Sequence, residues 1–528
     1  MGVRGVDRAF ERRLAALVNC GEPRLLGGGR RGLERESLRV TPAGRISQRP
    51  QPQALGSALT NPHVTTDYSE ALIELVTPTF EDNGGLIDYL YDLHQFVYRH
   101  IGDELLWATS MPGEIGSDEE IPIAQYGRSH QGRIKTIYRH GLKTRYGGMM
   151  QAISGVHFNY SFAPAFWPAY AELDRSRRAD ADFISACYFG VLRNFRRHGW
   201  LVSYLFGVSP AICRSFLQGH VDEGLQALGA QTLIGSYATS LRMSDLGYRN
   251  RDLAAVSVSA NSLQEYLRDM RRAIGTPHAP FTALGVKVDG QYRQLNANVL
   301  QIENEYYSYI RPKRTPRAGE RASAALARSG VEYVEVRALD NSAFDPAGVN
   351  LHKLYFLEAF VALLLLKDSP PIDDNEEQAL DRNHLVVARR GREPGLVLER
   401  DGRETPLAQW GAELLDSMQG ICELLDTGLA ARPYAAALAE QLRKLENVSR
   451  TPSARLLTEL RGGSESFAAL ALRVSEEHRR FFVQERPLDA ERQRQFALEA
   501  QESLEAQARI EAADQGHFDD YLARYLQG

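Results

Sequence analysis

Cysteine is scarce. Cys20, Cys187, Cys213 and Cys422 are the only thiols in 528 residues, and none belongs to a CxxC pair. That spacing excludes a disulfide framework and a thiolate zinc site, and it suits a reducing compartment. Long apolar runs are missing too. The greasiest stretch, 359-AFVALLLL-366, falls well short of the about 20 residues that span a bilayer. The segment 1-MGVRGVDRAFERRLAALVNC-20 has no signal-peptide core and reads as an amphipathic helix through Phe10, Leu14, Leu17 and Val18. A soluble, cytoplasmic protein with no membrane partner is expected. Charge of one sign is not in excess: the net charge is -5, which argues against nucleic acid as the main partner. No GxxxxGK[ST] loop is present; the cluster 27-GGGRRG-32 has the wrong order and reads as a turn. No nucleophile elbow appears, and no Ser or Cys has a base at a recognisable spacing, so covalent catalysis finds no support. No repeat and no Pro/Gly/Ser linker divides the chain.

What is present is ordinary in bulk, with 43% hydrophobic and 24% charged residues. The length exceeds the roughly 250–300 residues at which single cores stop growing. The pattern predicts an α+β core over residues 1–350 and a mainly helical region over 351–528 packed on it. Helices are expected at 1–20, 81–105, 182–206 and 261–275, the last with Asn261 or Ser262 as N-cap. Strands broken by turns are expected over 25–78, and strand character over 285–310, opening with a hairpin at the Asp-Gly of 285-GVKVDGQYRQL-295. A basic segment, 311-RPKRTPRAGERA-322, precedes a strand at 331-VEYVEVRAL-339.

The stretch 31-RGLERESLRV-40 sets Glu34 and Glu36 on one face of a strand, because side chains alternate with period two. Like charges there repel, and burying either is costly unless something positive compensates. A solvated edge strand is one reading. A metal site is the other, and it needs further carboxylates. The segment 65-TTDYSEALIELVTP-78 offers Asp67 and Glu74; 301-QIENEYYSYIRPKR-314 offers Glu303 and Glu305; 331-VEYVEVRAL-339 offers Glu335 with Arg337 on its face. Recurrence across four segments favours a shared acidic cleft. Oxygen ligands with little Cys or His point to a hard cation, Mg²⁺ or Mn²⁺. His157, in 154-SGVHFNY-160, is either a hydrogen-bonded core histidine or a member of that site. Metal with arginines suggests a polyphosphate ligand held without a P-loop.

The strings RGLERESLRV, ALGSALTNPHVTTDYSEALIELVTP, YRHGLKTRYGGMMQAISGVHFNYSF, YLFGVSPAICRSFLQG, SYATSLRMSDLGY, NVLQIENEYYSYIRPKR and VEYVEVRALD occur in that order. Together they resemble proteobacterial glutamate–cysteine ligase, gamma-glutamylcysteine synthetase. The likeness runs from about residue 25 to 345 and continues more weakly beyond. It implies a funnel-like, mostly antiparallel sheet similar to that of glutamine synthetase, with surrounding helices and a helical C-terminal third. It implies that ATP phosphorylates the γ-carboxylate of L-glutamate and that the amine of L-cysteine attacks the acyl phosphate, the first step of glutathione synthesis. Through the resemblance, Glu34, Glu36, Asp67, Glu74, His157 and Glu335 match metal ligands. Arg337 matches the arginine at the transferred phosphoryl group, and Arg242 the one on the glutamate α-carboxylate. Tyr68, Tyr138, Gln151, Tyr248 and Tyr307 match the cysteine pocket; Tyr68 stands where some relatives have phenylalanine. The adenine-binding residues are not assigned, and a monomer is the working expectation.

Rival readings are a ligase of the same fold with another amine acceptor, a phosphagen-kinase-like phosphotransferase, and a polyanion-binding module built on RPKRTPR.

Overall fold

The computed structural model describes residues 7–20, 25–173, 178–247, 257–317 and 319–527. The alternation expected around Glu34 is realised in β1 (Arg30–Val40), the centre of an antiparallel sheet. Its neighbours are β2 (Val64–Thr66), β3 (Leu72–Val76), β4 (Leu105–Leu106) and β5 (Gly155–Ser161). A small sheet follows, β6 (Ala211–Cys213), β7 (Gln226–Leu228) and β8 (Thr232–Ile234), then the hairpin β9 (Lys287–Val288) and β10 (Gln291–Tyr292). Two later strands, β11 (Ile310–Lys313) and β12 (Tyr333–Asp340), return to the main sheet. Its order is β11-β12-β5-β1-β3-β2, with β4 also on β1. Every ladder in it is antiparallel. The sheet stays open, with β11 and β2 at its edges, and is not a closed barrel.

Register decides which side chains meet. Glu34 lies opposite His157 on one side and Val76 on the other, and Glu36 opposite Glu74. Glu335 lies opposite Asn159 and Arg311. Directly paired residues share a face, so one face collects the acids. The other face carries Leu33, Ile73, Leu75, Val156, Phe158, Tyr160, Val334 and Val336 into an apolar core. The helices Asn83–His100, Ala181–His198 and Leu351–Leu366 contribute to that core, and the last is buried on nearly every side. Their starts are capped by Asp82, Asp180 and Asn350, whose side chains accept from backbone N–H groups.

The helix-covered face also receives Arg31, Arg35 and Arg39, each about 1% exposed. Arg31 pairs with Glu358, and Arg39 with Glu104 at 2.8 Å. Arg35 has no carboxylate partner among the described residues; its Nε and Nη1 make no hydrogen bond, and burial pulls its pKa down to about 10. The charges of RGLERESLRV are thus sorted by sign, acids to one face and the three buried arginines to the other.

The expected hairpin turns at Asp289 and Gly290, both at positive φ. Ser262 is the N-cap of the helix Leu263–Gly275. Other expectations need correction. Strand character ends at Tyr292; Glu303 and Glu305 sit on a 3-10 turn, not on a strand. The basic segment begins inside β11. The mainly helical C-terminal third also carries a hairpin, β13 (Val397–Arg400) and β14 (Arg403–Pro406), where an Asp-Gly turn, Asp401–Gly402, reverses the chain at positive φ. Among the described residues no helix is long and apolar enough to cross a membrane.

Candidate active site

Four neighbouring strands deliver the acid face. β1 supplies Glu34 and Glu36, β3 Glu74, β5 His157 and Asn159, and β12 Glu335 and Arg337. Asp67, just past β2, adds a carboxylate whose charge reaches both Glu36 and Glu74. Ligand atoms of Glu34, Glu74 and His157 all lie within 4.8 Å of one another.

His157 organises the cluster. Its Nδ1 donates to Glu34 Oε2 at 3.0 Å and lies 3.5 Å from Glu335 Oε1. Its Nε2 is buried, makes no hydrogen bond among the described residues and lies 3.6 Å from Glu36 Oε1. A partnerless imidazole nitrogen beside a carboxylate is a pair of donor atoms that a cation can use. Asn159 Nδ2 donates to Glu34 Oε1 at 2.8 Å, and the Gly155 N–H to Glu36 Oε2 at 2.8 Å. Glu335 Oε2 is buried and has no hydrogen bond among the described residues. Orphaned oxygens and an orphaned imidazole nitrogen in one acidic cluster fit a hard divalent cation.

The electrostatics agree. Burial, with the charges of Glu34, Asp67 and Glu36 beside it, pushes the Glu74 carboxyl well above its usual range. Burial also raises Glu36, against the pull of His157. Burial opposes ionisation of Glu335 as well, but Lys313 and Arg337 hold its carboxyl well below the usual range. At Glu34, burial and the Glu335 charge are outweighed by the His157 hydrogen bond and Lys313.

Arg337 Nη1 bonds Glu335 Oε1 at 3.0 Å. The β12–β5 register shifts between Val336 and Leu339, so an extra residue bulges out around Arg337. Such a bulge re-aims a side chain locally. Arg242 comes from the 3-10 turn Leu241–Met243, 2% exposed, with Nη2 donating to the Arg337 carbonyl at 3.0 Å. It can lie there because Gly155 has no Cβ: one would fall 2.2 Å from Arg242 Nη2. Asp340, 4.0 Å from Arg242 Nη1, is fixed by Val208 N, Ser209 and Ser240. Tyr307 Oη donates to Met243 Sδ at 3.4 Å, and Arg242 Nη1 approaches the same sulfur at 3.0 Å. Tyr307 is therefore joined to Arg242.

Tyr138 is buried on the helix His130–Tyr146, with its carbonyl accepting from Gln301. Gln151 is buried in the turn before β5. Tyr68 follows Asp67 directly and is 1% exposed; its hydroxyl has no hydrogen-bond partner among the described residues. Tyr248 lies outside the described residues. Glu303 and Glu305 do not join the acid face. Glu303 accepts from Arg321 and Ser323, and Glu305 from Arg145, Tyr146 and Gln301 N. Residues that the sequence did not single out are Lys313, Asn159, Gly155 and Asp340. Reading β11 as a strand would have exposed Lys313, since it shares a face with Arg311, the partner of Glu335.

The family model for glutamate-cysteine ligase matches residues 14–387. A glutamate–cysteine ligase of Azotobacter vinelandii is 47% identical over 523 residues, covering 98% of each chain. That of Alcanivorax borkumensis is 46% identical over 522 residues, covering 98% of this chain and 99% of its own. Among solved structures, glutamate–cysteine ligase from Francisella tularensis in complex with AMP superposes with a TM-score of 0.89 at 35% identity, over 95% of this chain and 98% of that one. The acid-lined antiparallel sheet and these full-length likenesses converge: the chain is a ligase and belongs to the glutamate–cysteine ligase family.

Proposed function

We propose that the chain joins the γ-carboxylate of L-glutamate to the amine of L-cysteine at the expense of ATP, through a γ-glutamyl phosphate, in the cytoplasm. The observation that carries this reading is the acid face itself. Glu34, Glu36, Asp67, Glu74 and Glu335 converge with His157 beside Arg337 and the buried Arg242. Phosphoryl transfer between two anions needs positioning and charge cancellation more than covalent help. Mg²⁺ or Mn²⁺ held by Glu34, Glu36, Asp67, Glu74, His157 and Glu335 would supply that cancellation.

The chain's own residues do the rest. Arg337, poised on Glu335 and 18% exposed, is placed to hold the transferred phosphoryl group. Arg242 keeps a buried Nε without a hydrogen-bond partner among the described residues and offers it to the glutamate α-carboxylate. Tyr307, joined to Arg242 through Met243, carries the cysteine site toward the glutamate site. Tyr68, Tyr138, Gln151 and Tyr248 complete the acceptor pocket, which reads the thiol by size and shape. The AMP bound by the Francisella relative supports a nucleotide co-substrate.

The test is ADP release with ATP, glutamate and cysteine, 2-aminobutyrate, serine or glycine, with product mass confirming the bond. Cysteine is expected to lead and 2-aminobutyrate to follow by roughly 10–200-fold in kcat/KM. ADP release that does not depend on both glutamate and an amine would overturn the reading. A preference above about 10⁴-fold would require a polar partner for the thiol.

A further inference from the structure

The acid face has a cation at its edge that the metal-and-arginine account leaves unused. β11 is the last strand of the sheet, and its pairing with β12 sets Arg311 opposite Glu335 and Lys313 opposite Tyr333. Both cations therefore point to the acid side. Arg311 is committed, with Nη2 donating to the carbonyls of Asn304 and Tyr306. Lys313 is not: its Nζ makes no hydrogen bond among the described residues and lies 3.5 Å from Glu335 Oε2. Arg337 takes the other oxygen of the same carboxylate. The backbone under Lys313 is nonetheless firm, because Arg314 donates to the carbonyls of Gly330 and Ser329 and the Lys313 carbonyl accepts from Glu332 N.

The cations of the cleft are graded in depth. Arg242 is 2% exposed, Arg337 18% and Lys313 32%. With Arg242 on the amino acid and Arg337 on the transferred phosphoryl group, the next position outward is that of the phosphate which stays with the nucleotide. An ammonium on a four-carbon stem is a mobile point charge, suited to following a phosphate as it departs, whereas a guanidinium fixes a planar partner. Its contact with Glu335 is an ion pair without a hydrogen bond, and Arg337 keeps the other oxygen of that carboxylate when the ammonium turns to a phosphate.

We propose that Lys313 is the nucleotide's β-phosphate ligand at the mouth of the cleft, holding the diphosphate before and after transfer. This rests on the nucleotide-dependent reading above, and a binding measurement separates the two. Calorimetry with Mg·ADP and Mg·AMP is made on wild type, Lys313→Met, Lys313→Gln and Lys313→Arg, alongside KM for ATP and for glutamate. The edge position and one-third exposure of Lys313 make the substitutions tolerable to the fold, and a thermal melt of each variant checks it. Both neutral variants are expected to weaken ADP about tenfold, leave AMP within twofold, and raise KM for ATP but not for glutamate. Lys313→Arg should recover most of the ADP affinity.

Equal weakening of ADP and AMP, or of neither, overturns the assignment. So does a rise in glutamate KM larger than that in ATP KM, which would show that Lys313 only balances Glu335. If wild type binds ADP in the expected manner but makes no γ-glutamyl product, the Lys313 assignment stands and the reaction assignment falls.

Discussion

Gly155→Ala tests the geometry of the site with one methyl group. The residue opens β5 in ordinary extended backbone, so alanine strains nothing by itself. The added Cβ, however, would fall 2.2 Å from Arg242 Nη2, 2.5 Å from Cζ and 2.8 Å from Nε, where ordinary contact begins near 3.4 Å. The guanidinium must retreat by about 1 Å from a pocket in which it is 2% exposed and held by the Arg337 carbonyl and Met243 Sδ. A shift of that size at a positioning group costs roughly 10²-fold. A lost charge-assisted hydrogen bond, about 1.5–3 kcal/mol, gives a factor of the same order. The loss should appear as a raised KM for glutamate, with KM for ATP nearly unchanged, in a coupled assay of ADP release. Arg242→Ala and the double variant complete a cycle. Once Arg242 is gone, the methyl group has nothing to displace, and Gly155→Ala should add little. A glutamate KM within twofold of wild type, or two fully additive losses, would refute the argument.

Glu34→Gln, Glu74→Gln and Glu335→Gln should each lower turnover by at least about 10²-fold with circular dichroism unchanged; near-normal rates at low Mg²⁺ would dismiss the shared cation site. Because burial raises the Glu74 and Glu36 carboxyls above their usual range, Mg²⁺ binding should release protons and tighten as pH rises through and above that range. Calorimetry in buffers of different ionisation enthalpy reads this, and binding without proton release would contradict it. Arg39→Met removes the close counter-ion of buried Glu104, leaving it Ser47 and, at 4.0 Å, Arg49, and should cost about 3–5 kcal/mol of stability in urea denaturation. Arg35→Met removes a buried charge that has no carboxylate partner and should be neutral or stabilising. Equal costs for Arg35→Met and Arg39→Met would undo that reasoning.

Period-two alternation was enough to place Glu34 with Glu36, and Glu335 with Arg337, because both pairs lie within long strands, where residues two apart share a face. The same spacing misleads at Glu303 and Glu305, where a 3-10 turn gives each carboxylate its own structural partner. Spacing alone does not separate the two cases; only cross-strand neighbours do. Arg242 stands on a 3-10 turn and Tyr138 on a helix, neither with a periodic signature, so only the resemblance reached them. Lys313 was hidden because 311-RPKRTPRAGERA-322 read as one basic segment ahead of the next strand, although its first three residues complete a strand. The fate of Arg31, Arg35 and Arg39 was invisible for another reason. The carboxylates that receive two of them, Glu358 and Glu104, are remote in the chain.

The sorting of charge across β1 has a consequence for insertion and deletion. A slip of one residue in a strand carries every side chain to the opposite face. In β1 it would thrust three arginines among the acids of the cleft and bury Glu34 and Glu36 against apolar helices, stripping Glu358 and Glu104 of their counter-ions. Each buried, unpaired charge costs several kcal/mol, so a misaligned chain is rejected by its own electrostatics before any ligand arrives. Deleting one residue within β1 should therefore be far more damaging than any single substitution there. The stretch that builds the cleft also proofreads the alignment of the sheet.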